Sequence, residues 1–89
     1  DKHLMMLRNH GTLAVGGSIA SCFMRLYYLE RSCDIQVKAM KGKLCMPNEG
    51  AVNMMRDTFS NPMAWEGIAS TAWPAMRRLA ERIDPRYKN

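Results

Sequence analysis

The sequence contains no apolar run approaching the ~18 residues that a membrane-spanning helix needs, which excludes such a span. Histidine is scarce: His3 and His10 are the two present, and zinc needs about three or four protein ligands. The three cysteines, Cys22, Cys33 and Cys45, form no CxxC pair. An odd count without that spacing argues against a disulfide framework or a zinc knuckle. On one helix, Cys22 and Cys33 would lie about 16 Å apart along the axis, whereas a disulfide needs Cα atoms about 4.4–6.8 Å apart. They read as buried thiols of a reducing, cytoplasmic compartment. Acidic side chains are also few, eight against thirteen basic ones, for a net charge of +5. The first residue is Asp1, and the long apolar stretch and small-residue cleavage site of a signal peptide are missing. The chain reads as beginning mid-fold. No internal repeat or low-complexity segment is visible.

What is present is mostly apolar. Of 89 residues, 47% are hydrophobic and 24% charged, which is not the balance of a disordered tail. The length allows one small domain or part of a larger one, and a single core of this size is marginal. The basic excess concentrates in residues 75–89, where Arg77, Arg78, Arg82, Arg86 and Lys88 face Glu81 and Asp84. A basic tail can mark nucleic acid. This one lacks interleaved aromatics and any known reader motif, so a solvated helix face is the preferred reading.

The local pattern runs β-β-α-α-α. Residues 3–9 are a short apolar run that fits a buried strand, and Gly11 then leads into Thr12-Leu13-Ala14-Val15. Two strands alone are not an independently stable sheet. Ser18 has the chemistry of a helix N-cap. After it, Ile19, Phe23, Leu26, Glu30, Cys33, Val37 and Met40 repeat at steps of four and three, the stripe of a long helix, with Arg25 off that stripe. Gly42 can end it. A second helix can start at Pro47 and break at Asn61-Pro62. A third carries Trp65, Ile68, Ala72, Met76, Leu79 and Ile83 to Asp84-Pro85, with Pro74 either kinking it or opening a new helix.

Few residues invite chemistry. His10 sits at a strand end between Asn9 and Gly11, a rigid and accessible place that suits a metal ligand or a general acid/base. From spacing alone the blander reading, a hydrogen-bonded structural histidine, is preferred. His3 reads as solvated. Glu30 lies within the apolar stripe, where a carboxylate needs a partner. An anchor to a group from another segment is preferred over a raised-pKa acid or a support for a metal ligand. Gly16-Gly17-Ser18 could cradle phosphate, but it lacks the lysine and spacing of a P-loop and reads as a turn with a cap. The nine methionines read as core packing before a promiscuous groove. Trp65, Trp73 and Phe59 read as core or interface anchors.

The stretch Leu7-Arg8-Asn9-His10-Gly11-Thr12-Leu13-Ala14-Val15-Gly16, then Ser18, Phe23, Tyr28-Leu29-Glu30 and Cys33-Asp34-Ile35-Gln36-Val37, resembles the class II aldolase/adducin family. Trp73-Pro74-Ala75-Met76-Arg77-Arg78 and Ile83-Asp84-Pro85-Arg86-Tyr87-Lys88 look like the C-terminus of its bacterial members. The resemblance implies an α/β fold, with residues 1–89 as a single partial domain: the C-terminal third of a three-layer α/β/α class II aldolase-like domain. It implies a parent that is a zinc- or other divalent-metal-dependent aldehyde-lyase acting on a small carbonyl substrate, a sugar or sugar phosphate. Three histidines hold the metal in the family's enzymes, and His10 corresponds to the third. The metal acts there as a Lewis acid on the substrate carbonyl. The other two, a His-x-His pair, and the glutamate acid/base lie upstream in the family and are missing here, so the fragment is expected to be inactive, with no catalytic or cofactor-binding residue of its own. Homo-oligomeric self-association is expected. The adducin branch keeps this histidine in a cytoskeletal role, so a non-enzymatic interaction module is the alternative, and a small basic nucleic-acid binder the third reading. Members commonly carry Glu-Ala where this chain has Ser21-Cys22, so a weakened helix start is expected here.

Overall fold

A computed structural model describes residues 2–88. Two strands come first, β1 (Leu4–Leu7) and β2 (Gly11–Ala14), paired antiparallel with Leu4 opposite Ala14 and Leu7 opposite Gly11. The pairing extends one step further, where Val15 N donates to His3 O at 2.9 Å. Thr12 and Ala14 are half-buried and alternate with exposed Gly11 and Leu13. All four residues of β1 are exposed although all are apolar. The expected strand 3–9 is therefore shorter: Arg8, Asn9 and His10 form the turn, closed by His10 N donating to Leu7 O at 3.2 Å.

Helix α1 (Ile19–Ala39) begins at the N-cap Ser18, as its hydroxyl implies. It ends three residues before Gly42, in a tight turn where Lys41 N donates to Lys38 O and Gly42 N to Ala39 O. Helix α2 (Glu49–Ser60) starts after Asn48, whose Oδ1 accepts from Ala51 N at 2.8 Å. Pro47 thus precedes the cap instead of opening the helix, because Asn48 can satisfy a first-turn N–H and proline has no side chain that can. Asn61 ends α2 and caps α3 (Pro62–Ile83), with Pro62 in the first turn. Pro74 lies inside α3, which continues through it. The carbonyl that proline leaves unpaired belongs to exposed Ser70, where water can reach it. A 3₁₀ turn, Pro85–Lys88, follows.

Helix α1 lies between the hairpin and α3. The buried set is small: Met24 and Ala69, with Ser21 and Arg25. Aromatic rings extend it. Phe23 meets Trp73 edge-on at 5.3 Å, Trp65 lies 5.9 Å from Tyr28 and 5.3 Å from Phe59. Trp65 Nε1 donates to Phe59 O at 2.9 Å, fastening α3 to the end of α2. The expected stripe of α1 is only partly packed. Leu26 and Cys33 are half-buried, whereas Ile19, Val37 and Met40 are exposed. The buried face is rotated toward Ser21, Met24 and Arg25: Ser21 is received by the cap residue Ser18, and Arg25 by the Val15 carbonyl and the Trp65 ring.

The radius of gyration is 15.7 Å, against about 12 Å for a closed domain of this length. The accessible surface is 7629 Å², against about 5,300 Å² for a monomer of this mass. The chain folds into an open arrangement with much apolar surface uncovered.

Candidate functional site

The turn that joins the strands holds His10 by its neighbours' backbone. Asn9 has φ 55° and Gly11 φ 155°. Asparagine tolerates the left-handed region better than most residues, and a φ like that of Gly11 is open essentially to glycine alone. A Cβ on Gly11 would meet nothing within 4 Å, so conformation and not space demands glycine there. The hairpin thus explains Asn9 and Gly11, but it does not explain His10. His10 is exposed, and no hydrogen bond from its ring is found among the described residues. The structural-histidine reading preferred from spacing therefore has no partner to rest on here. His3, exposed at the start of β1, lies at the opposite end of that strand.

Glu30 is exposed, unlike its place in the apolar stripe implies. Its Oε1 accepts from Thr12 Oγ1 at 3.1 Å, so it ties α1 to β2. Among the described residues no group of three or more His, Cys, Asp or Glu could hold a metal ion. His10 offers one imidazole, and the residues of this chain do not fit a complete metal centre. Cys22 and Cys33 are free thiols, half-buried, and Cys45 is free and exposed, so the reading of all three as buried needs correction.

Two residues escape sequence reasoning. Glu66 reaches from α3 to the start of α1, where its Oε2 accepts from Ser18 Oγ at 3.0 Å. Ser18 and Ser21 form a reciprocal capping box, with Ser21 N donating to Ser18 Oγ at 3.0 Å and Ser18 N to Ser21 Oγ at 3.2 Å. The helix start thus carries a complete capping box, contrary to the weakening expected from Ser21. Arg25 is buried, with Nη1 donating to Val15 O at 2.9 Å and its guanidinium 5.4 Å over the Trp65 ring. A signal existed in the spacing: Ser18, Ser21, Arg25, Tyr28 and Ser32 follow one another at three and four residues.

The family model described as Class II Aldolase and Adducin N-terminal domain matches residues 1–37, the hairpin and most of α1. The chain belongs to the class II aldolase/adducin family. Among curated proteins, one from Caulobacter vibrioides named "Putative aldolase class 2 protein" is 37% identical over 98% of this chain and 34% of its own length. A protein from Pseudomonas aeruginosa with the same designation is 33% identical over 97% of this chain and 35% of its own length. Human beta-adducin is 38% identical over 90% of this chain and 13% of its own length. The chain spans about a third of these bacterial family members. No solved structure gives a significant match. The mixed two-strand, three-helix fold is consistent with a fragment of a class II aldolase domain. Identity does not separate the family's bacterial and adducin branches, since both lie between 33% and 38%.

The third reading, nucleic acid, rested on the basic tail. Arg77, Arg78 and Arg82 are exposed along α3, while Lys88 pairs with Glu81 at 2.8 Å and Arg86 with Asp84 at 2.7 Å. No helix of the described residues is long and apolar enough to cross a membrane.

Proposed function

We propose that this chain is the C-terminal third of a metal-dependent aldehyde-lyase of the class II aldolase type, acting on a small sugar or sugar phosphate. His10 is its contribution to a zinc or other divalent-metal site whose remaining ligands lie outside the chain. The supporting observation is the Asn9-His10-Gly11 turn, in which two positive-φ neighbours set the backbone at His10 and its exposed imidazole has no hydrogen-bond partner among the described residues. Alone, the chain is inactive. Three free thiols support a reducing, cytoplasmic setting. The test is the metal content of the natural gene product, measured by mass spectrometry before and after His10→Ala. We expect about one divalent ion per subunit to fall at least tenfold. Unchanged content in the variant overturns the role of His10, and a gene product without a His-x-His pair overturns the enzyme reading.

A non-enzymatic interaction module is the second reading. The match to beta-adducin and the uncovered apolar surface favour it. A gene product that self-associates but carries no metal distinguishes it from the first.

A further inference from the structure

Arg25 retains 4% of its surface exposed, and no carboxylate pairs with it among the described residues. Its Nη1 bonds Val15 O, and Trp65 covers one face of the guanidinium. Its Nε is buried and has no hydrogen-bond partner among the described residues. Buried charges are ordinarily paired, and a buried donor left without an acceptor is costly. The carbonyl of Val15 and the Trp65 ring lessen that cost but carry no full negative charge.

Arg25 lines a cavity of about 340 Å³ that is also lined by Lys2, His3 and Arg56, with Phe59 and Trp65 among its walls. Among the described residues no acidic side chain lines it. Arg56 spends one N–H on Asn53 Oδ1 and keeps its other donors. The cavity lies at the end of the hairpin remote from the His10 turn, beside His3 and Leu4. We propose that it binds a small molecule bearing an oxyanion, a phosphate or carboxylate, received by Arg25, Arg56 and Lys2. Guanidinium groups match such oxyanions with two parallel N–H bonds. The Phe59 and Trp65 walls face the apolar part of the ligand. The volume is in the range of small-ligand pockets, ~300–1,000 Å³. The proposal stands independently of the metal reading, since it uses neither His10 nor a metal.

The test is a titration of the 89-residue chain with inorganic phosphate, and separately with acetate, at an ionic strength held constant with chloride. Two-dimensional NMR follows the Arg25 Nε–H and the Trp65 indole N–H. Both resonances should shift saturably. Arg56→Gln, an exposed substitution, should weaken binding about tenfold, and Arg25→Met should abolish it. Amide dispersion shows whether Arg25→Met folds; if it does not, Arg56→Gln alone decides. Saturation by phosphate alone assigns a phosphate ligand, by acetate alone a carboxylate, and by both the wider class. The proposal is overturned if neither anion saturates, if chloride produces the same shifts, or if Arg56→Gln binds as the unaltered chain does.

Discussion

Ser18 shows how local and distant partners divide the work at one position. Its role as N-cap follows from a hydroxyl placed after two glycines and before a periodic stretch. Glu66, 48 residues away, follows from nothing nearby in the sequence, because packing of α3 on α1 brings it there. It matters because α1 has no acidic residue in its first turn. A carboxylate near a helix N-terminus meets the positive end of the helix dipole, and here α3 supplies it. Gly16 belongs to the same corner, since a Cβ there would lie 2.7 Å from Ser21 Oγ. Ser18→Ala removes the hydroxyl that bonds both Ser21 N and Glu66, and should cost about 1–2 kcal/mol. Glu66→Gln keeps an acceptor and loses only charge, and should cost about 0.3–1 kcal/mol. Urea unfolding of the two variants checks the order; an equal loss would mean that the carboxylate charge, not the cap, governs this corner.

The C-terminal turn makes a pH prediction. Glu81 is held below its ordinary value of 4.5, mainly by the hydrogen bond from Lys88, with the Lys88 and Arg77 charges and a bond from Tyr87 adding to it against some desolvation. Asp84 is held below 3.8 by side-chain and backbone bonds from Arg86. Both groups are ionised more readily in the folded chain than in the unfolded one. Their contribution is complete above the unfolded values and is lost as pH falls through the lowered ones. The 3₁₀ turn should therefore loosen below about pH 4, whereas the start of α1 keeps the serine capping box, which carries no charge, whatever becomes of Glu66. Amide exchange of Arg86–Lys88 against that of Ser21–Arg25, followed from pH 6 to 3, checks it; parallel loss of protection would contradict it. At this level the sequence is informative about order and poor about facing. The β-β-α-α-α order follows from apolar period, caps and breakers. Which side of α1 is buried does not, because the polar residues Ser21 and Arg25 enter the interior only where Ser18, the Val15 carbonyl and Trp65 receive them. Strand ends are misread for a related reason. Asn9 and His10 look continuous with Leu4–Leu7, yet the left-handed Asn9 turns the chain. His10 was legible as a candidate, and its lack of a ring partner became visible only with the turn built around it.

The molecule as a whole exposes more surface than its mass requires. The 7629 Å² found exceeds the expectation for a closed monomer by roughly 2,000 Å², about the area that a stable protein interface buries. The exposed surface has a definite character. β1 presents Leu4, Met5, Met6 and Leu7 to solvent, on the two faces of a strand whose sheet has a single partner. Both edges of that hairpin keep unpaired backbone groups, which template the addition of another strand. Ile19, Val37 and Met40 leave a further apolar row on α1. A strand apolar on both faces is the pattern of an interior strand, and residues 2–88 leave this one uncovered. In isolation, a second copy is the available cover. Sedimentation velocity at about 100 µM should therefore give a dimer or larger species with burial of this order. Met6→Lys combined with Ile19→Lys places charge on two of the exposed rows without touching the buried set, and should shift the chain toward monomer while its helical circular dichroism is kept. A clean monomer for the unaltered chain at that concentration would show that the hairpin tolerates its open edges, and that the apolar row of α1 is not an interface.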